Sequence, residues 1–125
     1  MATLTVISDV LPKWQQWREA GVRLAYFNGT GSDVTQVKAA SDANKAWVVV
    51  GGRVSLQGSG AFLFLSSDTE VDRLEYAARA TAKVAKGIQC SDGKSLTIQN
   101  SDARPCHGWI AYVLLGDNES CPVLF

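Results

Sequence analysis

The sequence predicts an all-β protein, an antiparallel sandwich of two sheets that follows a short N-terminal arm or helix. Two stretches near the end of the chain carry this prediction. Residues 96–99 alternate apolar and polar side chains, the period of two that is typical of a strand with one buried face. The run 108–115 is almost wholly apolar, which is typical of a strand covered on both faces. The polar stretch between them predicts that these two strands form a β-hairpin.

Composition and charge limit the classes of function. The chain has 125 residues, which suits one domain, and 46% hydrophobic against 19% charged residues indicates a folded protein. Lys and Arg together number 12, and Asp and Glu together also number 12, so the chain has no net charge. Because no overall positive potential attracts nucleic acid, we expect no nucleic-acid partner. No run approaches the roughly 20 apolar residues of a membrane span, and the N-terminus lacks a secretion signal. We therefore expect no membrane association and folding in a cytoplasm.

The chain divides into an arm, residues 1–21, and a sandwich domain, residues 22–125. Asp9 is placed to cap a short helix with Pro12 in its first turn, and Gly21 ends it. Three large apolar side chains fall near one side of such a helix: Leu11, Trp14 and Trp17. Either they plug one end of the core, or the arm docks on a partner or a neighbouring subunit.

Four segments with β character follow the arm. They are 22–27, closed by the Gly-rich turn 28–31; 34–40, a weaker alternation; 45–56; and 61–65, after the turn 58–60. The pair Gly51-Gly52 inside the third segment predicts a bulge or bend in that strand.

The segment 61–65 is apolar on both faces. If Ala61, Leu63 and Leu65 face the core, then Phe62 and Phe64 lie on the side that a monomeric sandwich exposes to water. Burying each phenylalanine is worth about 2 kcal/mol, so a second covering surface is expected. We therefore predict that Phe62 and Phe64 form a subunit interface.

Residues 68–86 are open to two interpretations. Asp68 or Ser67 with Glu70 resembles a capping box, and Glu75 precedes Arg79 by four residues, which favours a helix and an α+β fold. Apolar and polar side chains nevertheless alternate through 73–84, which favours strands.

No pattern in the sequence predicts a catalytic residue, a metal site or a cofactor. The only histidine, His107, follows Cys106 in a polar turn, and no further ligands have helpful spacing. Three cysteines, at positions 90, 106 and 121, do not all pair within one chain and show no CxxC spacing. Reduced, partly buried thiols are the simpler interpretation, and a Cys90–Cys106 bridge stays open.

The order of these signals resembles the small jelly-roll modules of tailed bacteriophages, which serve as head-decoration proteins, head fibres and fibre tips. The resemblance rests on residues 31–37, 39–65, 92–100 and 108–113. It implies a jelly-roll sandwich, it favours strands over a helix in 68–86, and it implies a homotrimer packed around a threefold axis.

From this resemblance we expect a virion protein, made in the host cytoplasm, that decorates or cements the capsid. Its partners would be the major capsid protein or a neighbouring virion subunit, reached through Leu11, Trp14 and Trp17. The alternative is a receptor-binding tip, in which aromatic and Asp or Asn side chains on loops hold a host saccharide or protein.

Overall fold

The computed structural model describes residues 5–10, 15, 19, 21–30, 34–84, 88–101 and 105–116, the first range by its strand pairing alone. Within these ranges the chain forms ten strands. They are β1 (Thr5–Val10), β2 (Arg23–Thr30), β3 (Thr35–Lys38), β4 (Lys45–Leu56), β5 (Gly60–Ser66), β6 (Thr69–Tyr76), β7 (Ala80–Lys83), β8 (Ile88–Gln89), β9 (Leu96–Asn100) and β10 (Pro105–Gly116).

The strands form two antiparallel sheets with jelly-roll connectivity. One sheet has the order β1-β2-β10-β4-β7, with β8 also paired to β4, and the other has the order β3-β9-β5-β6. Most connections cross from one sheet to the other, so neighbours within a sheet are rarely neighbours in sequence. Eight strands arranged in this way constitute a jelly roll, to which β1 and β8 are additions. The predicted fold class is confirmed.

The predicted hairpin between the last two strands is wrong. β9 pairs with β3 and β5, whereas β10 pairs with β2 and β4 in the opposite sheet. The polar stretch between them is therefore a crossover between sheets. A connection rich in turn-forming residues is compatible with a hairpin within one sheet and with a crossover between two sheets. Pairing with strands that are distant in sequence decides between them, and the local pattern does not reveal those strands.

Residues 68–86 contain strands, so the helical alternative is wrong. β6 pairs with β5 from Ser66 opposite Thr69 to Gly60 opposite Tyr76, and β7 pairs with β4. Pairing with neighbouring strands outweighs the intrinsic helix propensity of the Ala-rich run.

The assignment of Phe62 and Phe64 to a subunit interface is overturned by their burial. Both rings are fully buried within the single chain, inside the core between the two sheets. Leu63, on the other face of β5, is only half-buried. The orientation of β5 is thus the reverse of the prediction, because a strand that is apolar on both faces does not itself indicate which face is inward.

A second apolar cluster lies on the face of the six-stranded sheet that points away from the core. Its buried members come from β10, β4 and the residue that precedes β2: Val22, Val48, Val50, Ala111 and Val113. On the core face of β10, Ile110 and Tyr112 join the main cluster. The prediction that this strand is covered on both faces is confirmed.

The bulge predicted at Gly51-Gly52 is also present. Ala111 of β10 pairs with Gly51, and the next residue, Tyr112, pairs with Val49, so Val50 is an extra residue in β4. Gly52 has a φ of 145°, and a Cβ built on it would lie 2.9 Å from the Cα of Ile110. A side chain at this position would collide with the backbone of β10.

The start of the chain belongs partly to the sandwich. β1 pairs with β2 at the edge of the six-stranded sheet, a strand that the sequence pattern does not predict. Gln15 and Glu19 are helical, and the Gln15 side-chain amide donates a 2.9 Å hydrogen bond to the Glu19 carboxylate. Leu11, Trp14 and Trp17 lie outside the described residues. In the described part of the chain, no helix has the length and apolar character needed to cross a membrane.

Candidate binding face

The outer surface of the six-stranded sheet carries a row of aromatic and basic side chains. Trp109 of β10 pairs with Tyr26 of β2 on one side and with Arg53 of β4 on the other, and Arg53 pairs with Lys83 of β7. The four residues thus lie side by side on four adjacent strands. We refer to Tyr26, Trp109, Arg53 and Lys83 as the aromatic-basic row.

The row points away from the core because side chains alternate along each strand. Cys106 and Ile110 of β10 belong to the core cluster, so Trp109 lies on the opposite face. Tyr26 is 40% exposed, Arg53 and Lys83 are exposed, and Trp109 is half-buried where it packs against the second apolar cluster. The row therefore borders the second apolar cluster, which Trp109 contacts.

A second row runs parallel to the first, two residues along each strand. His107 pairs with Asn28 on one side and with Ser55 on the other, and Ser55 pairs with Thr81. The hydroxyls of Ser55 and Thr81 share a 2.6 Å hydrogen bond. We refer to Asn28, His107, Ser55 and Thr81 as the polar row. It offers hydroxyl, amide and imidazole groups beside the aromatic-basic row.

An open cleft of about 260 Å³ adjoins the polar row at the β7 edge of the sheet. It is lined by residues from the end of β4 and the position after it, from the turn before β7 and β7 itself, and from β10: Ser55, Leu56, Gln57, Arg79, Ala80, Thr81 and His107. Arg79 adds a third cationic side chain near the two rows. The face is thus a shallow surface with a cleft at one side.

Charge is distributed unequally between the two sheets. The strands β2, β4, β7, β8 and β10 together carry Arg23, Lys45, Arg53 and Lys83 and contain no Asp or Glu. Asp9 lies in β1, at the far edge of this sheet from β7. β6, in the other sheet, carries Glu70, Asp72 and Glu75. Of these cations, only Arg53 and Lys83 lie on the outer face, since Arg23 pairs with the core residue Tyr112 and Lys45 alternates in register with Trp47, which packs against the core. The outer face therefore carries two basic side chains, and these five strands add no acid to it.

The acidic strand is partly neutralised by its own arginine. Arg73 donates from Nε to a Glu70 oxygen at 3.0 Å, and its Nη1 lies 3.5 Å from a Glu75 oxygen. The hydrogen bond from Arg73 lowers the pKa of the Glu70 carboxyl. All three side chains are exposed on an edge strand, and charges there discourage pairing with another chain.

Cys106 and His107 do not form a reactive pair. Cys106 is buried in the core, whereas His107, the next residue, is exposed on the outer face. Burial raises the pKa of the Cys106 thiol to about 12 and that of the Cys90 thiol to about 11, so both stay protonated at neutral pH. Neither forms a disulfide, so the Cys90–Cys106 bridge that the sequence left open is not formed.

None of the five predicted contact residues lies on the outer face of the six-stranded sheet as the structure describes it. Leu11, Trp14 and Trp17 lie outside the described residues, and Phe62 and Phe64 lie in the core. Sequence reasoning missed the aromatic-basic row. One sequence signal could have indicated it: in otherwise apolar strands, polar or amphipathic side chains occupy alternate positions. The pairing of four distant strands was still needed to show that these positions form one row.

Comparison with known proteins gives likeness of fold only. No protein-family model matches the chain, and no curated protein matches it. A Bacillus endospore appendage, described as a disulfide-linked pilus, is 12% identical over 76% of this chain and 84% of its own, with a TM-score of 0.48. The cupin domain of a transcriptional regulator from Enterobacter cloacae is 10% identical over 90% of this chain and 95% of its own, with a TM-score of 0.40.

A cupin-superfamily sugar phosphate isomerase from Silicibacter pomeroyi also matches. It is 8% identical over 79% of this chain and 58% of its own, with a TM-score of 0.34. These structures belong to an appendage, a regulator and an enzyme. At such identities and TM-scores, none of those activities transfers to this chain.

Proposed function

We propose that this chain is a structural protein of a bacteriophage virion, a decoration protein that binds the capsid surface as a homotrimer. It works by contact and not by catalysis, and the N-terminal arm with Leu11, Trp14 and Trp17 makes the attachment. The resemblance to small phage jelly-roll modules supports this proposal, and so does the way in which the sandwich is packed.

The observation that carries the proposal is that aromatic side chains pack against one another between the two sheets. Phe27 stacks on Phe62 with ring centroids 5.2 Å apart, and Phe62 meets Phe64 edge-on at 5.3 Å. Trp47 and Tyr112 make a further edge contact at 5.7 Å. The interior is thus occupied by aromatic rings, and the protein offers partners its outer surfaces.

The arm joins the domain beside the second apolar cluster. A Cβ built on Gly21, the last residue of the arm, would lie 3.9 Å from Cγ2 of Val113, and Val22 is fully buried. The base of the arm therefore lies against a packed part of the sheet. A segment anchored in this way can present large side chains to a partner at a lower entropic cost than a loose tail.

Trimerisation is supported by the resemblance alone, since Phe62 and Phe64 are core residues. A trimer would present three arms to a capsid site, and linked contacts raise the overall affinity well above that of one arm. The interface would have to use outer surfaces of the sandwich.

Two measurements test the proposal. Light scattering of the purified chain should give three times the chain mass, and a monomer would overturn the trimer.

Capsids prepared without this protein should bind the intact chain. The triple variant Leu11→Ser, Trp14→Ser, Trp17→Ser should lose binding while keeping its thermal transition. The control pair Gln15→Ala, Glu19→Ala alters exposed helical residues of the same arm and should bind normally. Unchanged binding by the triple variant would overturn the role of the arm.

A second candidate function is a receptor-binding tip that holds a saccharide or a protein on the host surface. The observation that favours it is the aromatic-basic row, where an exposed tyrosine lies beside a half-buried tryptophan. These side chains lie on strands, whereas the sequence led us to expect such a cluster on loops.

A further inference from the structure

We propose that the outer face of the six-stranded sheet binds an anionic saccharide, one that bears carboxylate or sulfate groups. The site is the aromatic-basic row, assisted by the polar row. This inference rests on the second candidate function and names the class of ligand for its site. It does not depend on capsid decoration, because that proposal assigns the capsid contact to the arm and this site lies on strands β2, β4, β7 and β10.

The shape of the site suits a short oligosaccharide. Four adjacent strands spaced by about 4.8 Å give a row about 14 Å long, and the polar row lies about 6.6 Å away along the strands. The result is a shallow platform wide enough for successive sugar rings. The strand register keeps the side chains of the aromatic-basic row on one face, because each residue of the row pairs directly with the next residue on the adjacent strand.

The aromatic side chains supply the contact with the sugar rings. A pyranose ring has an apolar face of C–H groups that packs flat on an aromatic ring, while its hydroxyls point outward. Tyr26 is 40% exposed and lies opposite Trp109 on the neighbouring strand. Both side chains combine a large apolar surface with a polar group, which suits a ligand that is apolar on its faces and polar at its edges.

The basic side chains determine the charge of the ligand. The guanidinium of Arg53 has the planar geometry that binds a carboxylate or sulfate through two hydrogen bonds, and Lys83 beside it adds a second positive charge. Both are exposed, and the described strands β2, β4, β7 and β10 contribute no acid to this face. An anionic saccharide is therefore favoured over a neutral one.

The polar row completes the recognition of a saccharide. Asn28 and His107 are exposed, and the linked hydroxyls of Ser55 and Thr81 are the next pair along the row. Such groups donate to and accept from sugar hydroxyls. A single-stranded nucleic acid would also stack on aromatic rings, but it needs a basic groove that follows its backbone, and this chain has no net charge.

Direct binding of the full chain to immobilised oligosaccharides tests the inference. The probes are uronate, sialylated and sulfated oligosaccharides, each beside a neutral counterpart, together with a short oligothymidine. We expect the chain to bind at least one anionic probe, to bind its neutral counterpart at least about tenfold more weakly, and to bind less as salt is added. Binding to no anionic probe, equal binding to neutral probes, or tighter binding to the oligothymidine would each overturn the inference.

Matched variants locate the site. Tyr26→Ala and Arg53→Gln alter exposed side chains and should each weaken binding at least about tenfold while keeping the thermal transition of the parent. Lys45→Gln is the control, because it removes a positive charge from the opposite end of the same strand as Arg53. Parent-like affinity in Tyr26→Ala and Arg53→Gln would contradict the assignment. All three variants should still bind capsids, so failure of saccharide binding and failure of the decoration proposal are distinguishable.

Discussion

The hydroxyl of Tyr76 donates a 2.6 Å hydrogen bond to the backbone carbonyl of Val54. Tyr76 ends β6 in the four-stranded sheet, and Val54 lies in β4 of the six-stranded sheet, so this bond joins the two layers of the sandwich. Tyr76 is buried, and burial raises the pKa of its hydroxyl to about 12. The hydroxyl therefore remains a donor throughout the neutral pH range.

Tyr76→Phe should destabilise the fold by about 1 to 2 kcal/mol, because it leaves a buried carbonyl without this donor. Urea unfolding measures the change. Tyr26→Phe removes the same hydroxyl from a 40% exposed tyrosine and should change the free energy of unfolding by less than about 0.5 kcal/mol. Equal effects of the two substitutions would show that the bond between the sheets contributes nothing.

The reversed orientation of β5 makes a second prediction. Phe62→Ala should cost about 3 to 5 kcal/mol, since it empties a fully buried site that stacks on Phe27. Leu63→Ala, on the half-buried outer face of the same strand, should cost clearly less. Chemical denaturation of both variants decides the orientation. A small loss of stability in Phe62→Ala together with a large loss in Leu63→Ala would support the orientation expected from the sequence, in which Leu63 faces the core.

The close approach of β4 and β10 makes a third prediction. Gly52→Ala should destabilise by more than about 2 kcal/mol, because the new Cβ meets the backbone of Trp109 and Ile110 and the residue also has a positive φ. Gly93→Ala separates the two effects. It has a φ of 70°, but its nearest contact is 3.4 Å away, so it should cost only about 1 kcal/mol. Thermal melts of both proteins compare the two costs.

Alkaline pH should destabilise the protein. The pKa of the Cys106 thiol rises from its ordinary value of 9.0 to about 12 in the fold, and that of Cys90 rises to about 11. Above pH 9 the thiols of the unfolded chain lose protons that the folded chain retains. The free energy of unfolding therefore falls as pH rises, by up to about 1.4 kcal/mol per pH unit for each thiol.

Urea titrations between about pH 8 and about pH 10.5 measure this slope. Cys106→Ala removes one of the two thiols and should make the slope shallower, whatever it does to stability at neutral pH. A slope that is identical in the parent and in Cys106→Ala would contradict the role of the buried thiol.

Much of the fold follows from local sequence, and the candidate site does not. The alternation in 73–84 and the apolar run in 108–115 correctly predict strands, and Gly51-Gly52 correctly predicts a bulge. The aromatic-basic row is assembled from residues 26, 53, 83 and 109, which no local window contains together. Only hydrogen bonding between distant strands brings these residues to one face.

The sequence by itself determined the all-β class, because side-chain periodicity and turn-forming residues act over a few neighbours. It also determined that β10 is covered on both faces, since nearly every side chain of that run is apolar. The tertiary structure alone decided that β9 and β10 lie in different sheets and that Phe62, not Leu63, faces the core. Periodicity distinguishes the two faces of a strand, but only the neighbours that pack against each face decide which one is inside.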